Sequence, residues 1–351
     1  PLHDLGRLRP AVAGVRLQVL VRDASQVGCD LRQRGDVSLL ARVEQYVVAL
    51  ADIGGRHLAQ RDGLAIVGSC EDGVELPPSN TTLFELIELR YTRRTHDHTQ
   101  VLVGHTLEGQ AKAHRTIGLA DLLRHQAPLA TDDDILRVHP PAYLNAIRQQ
   151  SPTVGSICLD ADTHMSPGSL VAAYRAAGAN VLAVDLVLEG GVQNAFAAVR
   201  PPGHHAEVKT AMGFCLFGNI AIAAKRLLDH HGLDRVAIVD FDVHHGNGTQ
   251  DLLWDEPRAL FITSQQMPLW PGSGRVDEDG AYGQILNMPL APDSAGPEMR
   301  AAYEGQAFPR LRAFKPELII ISAGFDAHRD DPLASLNWST TDFAWLTAEL
   351  C

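Results

Sequence analysis

From Asn194 onward the chain repeats one pattern: a short run that is apolar at nearly every position, then a stretch with apolar residues at helical spacing. NAFAAVR (194–200), RVAIVDFD (235–242), ALFITS (259–264), QILNMPL (284–290) and ELIIISAGF (317–325) are the apolar runs. NIAIAAKRLLDH (219–230) and PEMRAAYEGQAFPRLRAF (297–314) have helical periodicity. A half-exposed strand alternates apolar with polar residues; these runs do not, so both of their faces must be covered. Strands of that kind alternating with helices predict an α/β fold with a mainly parallel sheet between helical layers.

Ligands of such sheets gather at the carboxyl ends of the strands, and the titratable residues here fall at those ends. In VAIVDFDVHHGNG, Asp240, Asp242 and His244 follow a β-forming run at period two, so they project to one side of the strand and its exit loop. Asp326 ends another apolar run. A lone Asp-x-His more often caps a strand than binds an ion, but Asp242, His244 and Asp326 together make an oxygen, nitrogen, oxygen donor set. That set leaves one position open for water and substrate.

His204 and His205 follow Pro201, Pro202 and Gly203, a stiff segment suited to presenting two imidazoles into a crevice. Two neutral imidazoles can accept a proton from water and deliver it to a leaving amine. Asp240 is placed to orient His204, and Asn247 to orient His205. An amide partner supplies no charge, so His205 is less biased toward imidazolium than an Asp partner would make it.

LLARVEQYVVALADI (39–53) has helical spacing, GLAIVGS (63–69) reads as a short strand and ELPPSNTT (75–82) as loop. HRTIGLADLLRH (114–125) is amphipathic. TDDDILRVHPPAYLNAIRQ (131–149) has Thr131 as N-cap before an acidic first turn, and SPGSLVAAYRAAGANVLAVDLVL (166–188) is a long helical stretch. Thr340 or Thr341 is expected to cap a last helix through TTDFAWLTAEL, and its stop at Cys351 without a C-cap reads as the cut end of a fragment.

Composition narrows the partners. The 351 residues, 45% hydrophobic and 21% charged, suffice for one large α/β domain or two smaller ones. A net charge of −12 argues against a nucleic-acid surface, lends nothing to contact with an anionic membrane and favours a cationic substrate. Cys29, Cys70, Cys158, Cys215 and Cys351 show no paired spacing, so they are expected as unpaired, buried thiols rather than a disulfide or thiolate framework. No apolar run approaches the roughly 20 residues of a membrane span and no leader pattern opens the chain, which sets a cytoplasmic expectation.

The ordered segments ATDDDILRVHPPAYL, LDADTHMSPGS, VRPPGHHAE, GFCLFGN, VDFDVHHGNGTQ, MPLWPGSG, LNMPL and SAGFDAHRDDPL resemble the zinc-dependent histone deacetylase family. The likeness is to its bacterial histone deacetylase-like and acetylpolyamine amidohydrolases, from about Ala130 to Leu350. It implies an arginase-like three-layer α/β/α fold, Zn²⁺ (or Fe²⁺) on Asp242, His244 and Asp326, and His204 and His205 as the catalytic pair. The implied reaction is deacylation of an N-acetylated amine by metal-activated water, with acetyl-lysine in protein, an acetylpolyamine or another small acylated amine as substrate. Phe214 and Trp270 would wall a narrow acyl channel, Leu333 would lie on its rim and Gly213 would offer its carbonyl to the substrate amide. A monovalent cation such as K⁺ near Asp240 and the backbone of Asp242 and His244 is implied too.

Departures from the family accompany the likeness. Its Gly-Gly-Tyr segment, which supplies an oxyanion donor, does not occur in the chain. Loss of such a donor costs about 100- to 1000-fold in rate. GHTLEGQAKAHR (104–115) is a remote echo of the family's N-terminal HPERPxR segment. Gly218 stands where Asn is expected and Gln265 where His is common, while Asn247 in place of Asp resembles the class II branch. The expected organisation is a poorly assigned segment 1–95 before a catalytic domain 96–351, with the oligomeric state open. The competing readings are an inactive acyl-ligand-binding pseudoenzyme and a manganese ureohydrolase, which would need a second set of metal ligands.

Overall fold

In the computed structural model, residues 123–351 are described together with the two strands Tyr46–Ala51 (β1) and Leu64–Gly68 (β2). Eight strands form one sheet. β3 (Leu123–Gln126) lies at one edge, followed by β2, β6 (Asn194–Ala198), β1, β10 (Leu318–Ala323), β7 (Val236–Asp240), β8 (Ala259–Gln266) and β9 (Ile285–Leu290). A separate two-stranded sheet pairs β4 (Ile157–Cys158) with β5 (His164–Met165). All strand pairs of the large sheet are parallel except those of β1, which runs antiparallel to both β6 and β10.

The apolar runs are continuous because the sheet has a core on each face. In β7, Val236 and Ile238 enter one cluster and Ala237 and Val239 the other, the period-two alternation of a pleated strand. The first cluster is closed by α3 (Ser169–Leu188) and α4 (Asn219–Asp229), which present Ala176, Ala183, Ile220 and Leu227 to it. The second is closed from the other side by Met299, Tyr303, Phe308, Trp338 and Phe343. These come from α6 (Gly296–Ala302), α7 (Phe308–Phe314), α8 (Thr340–Leu350) and the segments beside them. The three layers are therefore α/β/α.

Local chemistry sets most of the boundaries. Thr131 caps α1 (Asp132–Ile135): its Oγ1 accepts from the Asp134 N–H at 3.1 Å while the Asp134 carboxylate accepts from the Thr131 N–H at 3.0 Å. Pro141 then opens α2 (Pro141–Gln150), so the predicted stretch is two helices rather than one. α5 (Asn247–Leu252) starts directly behind the Asp240–His244 loop.

Several expectations are corrected. The segment predicted as a helix over 39–53 supplies β1, since Val47 and Val48 suit a strand and its backbone pairs on both sides. The amphipathic stretch 114–125 ends in strand β3, and its earlier residues, like the loop 75–82, the echo at 104–115, Cys29 and Cys70, lie outside the described residues. Residues 297–314 do not form one regular helix: a π turn over Tyr303–Ala307 separates α6 from α7. Pro309 cannot donate to the carbonyl of Gly305, and the Phe308 N–H reaches back to the Tyr303 carbonyl instead.

The last helix is capped at Ser339, not Thr340 or Thr341, with the Asp342 carboxylate accepting from the Ser339 N–H at 2.8 Å. α3 overturns the expectation that no apolar run nears a membrane span: its 20 residues reach that length and composition, though most of it is buried against the sheet and α4. Among the described residues Cys158, Cys215 and Cys351 are free thiols, and only Cys215 is buried.

Candidate active site

The carboxyl ends of β6, β7 and β10 bring the predicted donors together. Asp242 and His244 leave the end of β7, and Asp326 leaves the end of β10, which pairs with β7 in parallel. One ligand atom from each lies within 4.8 Å of the others, and the two carboxylates are buried. His244 Nδ1 is 2.9 Å from Asp326 Oδ2 and 3.2 Å from Asp242 Oδ1. The backbone winds around these acids: the Val243 N–H donates to Asp326 at 2.9 Å and the His244 N–H to Asp242 at 2.8 Å. Gly324 allows the close approach, since a Cβ there would overlap the Asp242 carboxylate.

The chemistry of the trio suits a cation. Burial and the neighbouring Asp326 charge push the Asp242 carboxyl well above the ordinary range. Burial alone would depress His244, yet its hydrogen bonds to Asp242 and Asp326 outweigh that and raise it to about 11. Burial would likewise raise Asp326, but the hydrogen bond and charge of His244 hold it down. The trio thus holds its protons tightly, one favoured on Asp242 and one on His244 beside the Asp326 carboxylate. An O/N/O set of this kind fits a small divalent metal such as Zn²⁺ or Fe²⁺, which would replace those protons. Among the described residues this is the one group of three or more such side chains that could hold an ion, and a ureohydrolase's second set is not found there.

His204 and His205 stand beside the trio on the loop after β6. Both are buried, with ring centroids 3.8 Å apart, and His204 Nε2 is 3.9 Å from Asp242 Oδ2. His204 Nδ1 is 3.1 Å from Asp240 Oδ2, and His205 Nδ1 is 2.8 Å from Asn247 Oδ1. Asp240 also accepts from the Ser322 hydroxyl at 2.6 Å and from the Asp242 N–H at 3.1 Å, and burial, only partly offset by these bonds, moves its carboxyl up to about 7. Burial, reinforced by His244, lowers His204 to about 3, and burial with His204 beside it holds His205 well below the usual imidazole range. Both rings are neutral at pH 7, the form that accepts a proton.

The predicted substrate residues divide. Trp270 and the segment Gly213–Phe214 flank His205: the Trp270 ring is 4.7 Å from that imidazole, edge to face, and a Cβ on Gly213 would overlap the His205 ring. Gly213 and Phe214 have φ of 55° and 62°, the left-handed region, so Gly213 is required on two counts. Asp162 Oδ1 and Thr163 Oγ1 hold that bend by accepting from the Gly213 and Phe214 N–H groups at 3.2 Å and 3.0 Å. The Gly213 carbonyl accepts from the Cys215 thiol at 3.1 Å. Phe214 and Trp270 are both exposed. Leu333 is exposed in the loop after Asp326, its N–H bonded to Asp331 at 2.9 Å.

Several residues escaped sequence reasoning. Glu207 accepts from Asn247 Nδ2 at 2.9 Å, and Ser322 donates to Asp240. His245, adjacent to the His244 donor, faces away from the trio into a second polar network: Ser273 Oγ lies 2.8 Å from its Nδ1 and Gln250 Oε1 3.1 Å from its Nε2. Gln250 donates to Glu278, which also accepts from the Gly274 N–H, and Gln265 donates to the Gly274 carbonyl at 2.7 Å. This network fixes the loop that carries Trp270. Only the run of polar residues Thr263 to Gln266 inside an otherwise apolar strand hinted at it.

Comparison with known proteins gives a family. A sequence profile described as the histone deacetylase domain matches residues 96–351. An uncharacterized protein of Synechocystis is 42% identical over 241 residues, spanning 68% of this chain and 79% of that protein. A histone deacetylase-like amidohydrolase of Pseudomonas aeruginosa is 40% identical over 233 residues, 65% of this chain and 61% of its own length. A probable deacetylase of Archaeoglobus fulgidus is 39% identical over 218 residues, 61% of this chain and 60% of its own length. The matched region thus spans about three fifths of the two relatives with a named activity. Among solved structures, the HD domain of HDA15 superposes with a TM-score of 0.65 at 33% identity, covering 73% of this chain and 78% of that one. The shared fold is arginase-like.

Proposed function

Because the chain belongs to the histone deacetylase family, we propose that it is a zinc-dependent amidohydrolase that removes the acyl group from acetyl-lysine, an acetylpolyamine or a similar acylated amine. The observation that carries this reading is the juxtaposition of two neutral, buried imidazoles with an O/N/O trio of two buried carboxylates and a half-buried imidazole whose ligand atoms lie within 4.8 Å of one another. Asp242, His244 and Asp326 would hold the metal. Bound there, a divalent zinc or iron ion would polarise the acyl carbonyl and acidify a water.

The chain's own groups do the rest. Asn247 Oδ1 accepts from His205 Nδ1, which leaves the His205 Nε2 lone pair free to take a proton from the attacking water and return it to the departing amine. Asp240 accepts from His204 Nδ1 and stabilises positive charge on that ring as charge develops beside it. Phe214 and Trp270 clasp the apolar acyl-bearing arm, Leu333 meets its outer end and the Gly213 carbonyl takes the amide N–H of the substrate. The net charge of −12 favours a cationic amine as the rest of the substrate.

Metal content tests the donor assignment. Purified protein is expected to hold about one equivalent of zinc or iron, a small fraction in Asp242→Ala, and none in the Asp242→Ala/Asp326→Ala double variant. Elemental analysis showing stoichiometric metal in the double variant would overturn it.

A further inference from the structure

Asn247 is the first residue of α5, and its buried side chain sits between His205 and Glu207. Its Oδ1 lies 2.8 Å from His205 Nδ1, and its Nδ2 lies 2.9 Å from Glu207 Oε1 and 3.4 Å from Met212 Sδ. A carboxylate oxygen and a thioether sulfur accept hydrogen bonds, so the amine end of the Asn247 amide belongs on their side. The amide oxygen is then forced toward His205. His205 must carry its ring proton on Nδ1 and keep the Nε2 lone pair free.

The contrast with the other imidazole shows why a third residue is needed. His204 is held by Asp240, a carboxylate that accepts in either orientation. An amide is two-sided. Rotated by half a turn it occupies the same space but offers N–H to His205 Nδ1, which drives the ring proton to Nε2 and removes the base. Nothing in the Asn247–His205 pair chooses between the two orientations; Glu207 does.

We propose that Glu207 is a positioning residue that selects the ring tautomer of His205 by orienting the Asn247 amide. It rests on the deacylase reading above, in which His205 is the proton carrier. Glu207 acts through Asn247. The proposal makes residues 207 and 247 interdependent in sign. With asparagine at 247 a carboxylate at 207 is required. With aspartate there, which accepts from His205 in any orientation, the Glu207 carboxylate faces a second carboxylate and becomes harmful.

The test is a double-mutant cycle on the metal-loaded full chain, with kcat, KM and metal content on an acetyl-lysine peptide. Glu207→Met is expected to lower kcat about 10-fold or more, the scale of losing an orienting partner, with KM and metal content unchanged. Asn247→Asp alone is expected to be impaired, and Glu207→Met placed in that background is expected to raise kcat again. That recovery also separates orientation from a folding defect caused by Glu207→Met. Long-range ¹H–¹⁵N spectra of histidine-labelled protein supply a readout without turnover: the His205 ring, assigned by its loss in His205→Ala, is expected as the Nδ1–H tautomer in wild type and partly Nε2–H in Glu207→Met. Wild-type kcat and tautomer in Glu207→Met, or no recovery in the double variant, would overturn the proposal. Full turnover by His205→Ala would instead sink the underlying reading, with the tautomer spectra still deciding the role of Glu207.

Discussion

His204 and His205 are sequence neighbours with ring centroids 3.8 Å apart, yet a carboxylate holds one and an amide the other. Their substitutions should therefore differ in kind. His205→Ala is expected to lower kcat by at least about 100-fold with KM little changed, as for a group acting in the transition state, while His204→Ala costs less. Metal is retained in both, since neither imidazole is in the donor trio. Steady-state kinetics with metal analysis checks this, and near-wild-type turnover by His205→Ala or metal loss in either variant would reverse the assignment. The cluster at the end of β7 was legible in the sequence, because period-two spacing at a strand exit is a local pattern shared by Asp240, Asp242 and His244. Glu207, Ser322 and Glu278 were not, because each acts on a residue dozens of positions away and only the packed sheet brings the partners together.

At the scale of elements, α4 is tied to the segment that follows α5 by charge. Lys225 on α4 donates to Glu256 Oε2 at 2.6 Å, and Arg258 donates to Glu256 Oε1 at 2.7 Å and to Asp229 at 2.9 Å. Burial alone would raise the Glu256 carboxyl, but these two cations hold it down to about 2, below its ordinary 4.5. A depressed folded value means that the stabilisation is fully present above about pH 4.5 and is lost as the pH falls toward 2. Arg258 is 40% exposed, so screening limits the contribution to about 1 kcal/mol. Glu256→Gln is expected to lower the denaturation midpoint at pH 7 and to differ less from wild type at pH 4; an equal difference at both values would contradict the linkage. Helices with strong local signals were readable in advance, as Thr131 and its capping partner Asp134 show. Tyr46–Ala51 was not, because its helical spacing yields to pairing with β6 and β10, and that pairing is non-local. The π turn before Pro309 was missed for a different reason: periodicity over 18 residues hides one widened turn.

For the whole molecule, the alternation of apolar strands and helices predicted the α/β/α sandwich, and the apolar continuity of those strands follows from a core on each face. What periodicity does not carry is strand order. The site exists because β10 lies beside β7 although nearly 80 residues separate them in sequence, which brings Asp326 to Asp242 and His244. The loop after β6 adds the two imidazoles. Under the proposed function this convergence is a single metal centre on which hydrolysis depends. Its most direct test is to strip the protein of metal and titrate zinc back while measuring acetate release from an acetyl-lysine peptide and an acetylpolyamine. The rate on at least one of the two is expected to rise in proportion to added zinc and to level at one equivalent per chain, with no rise in Asp242→Ala. Acetate release by the stripped protein at the full rate, or a rise that persists in Asp242→Ala, would contradict it.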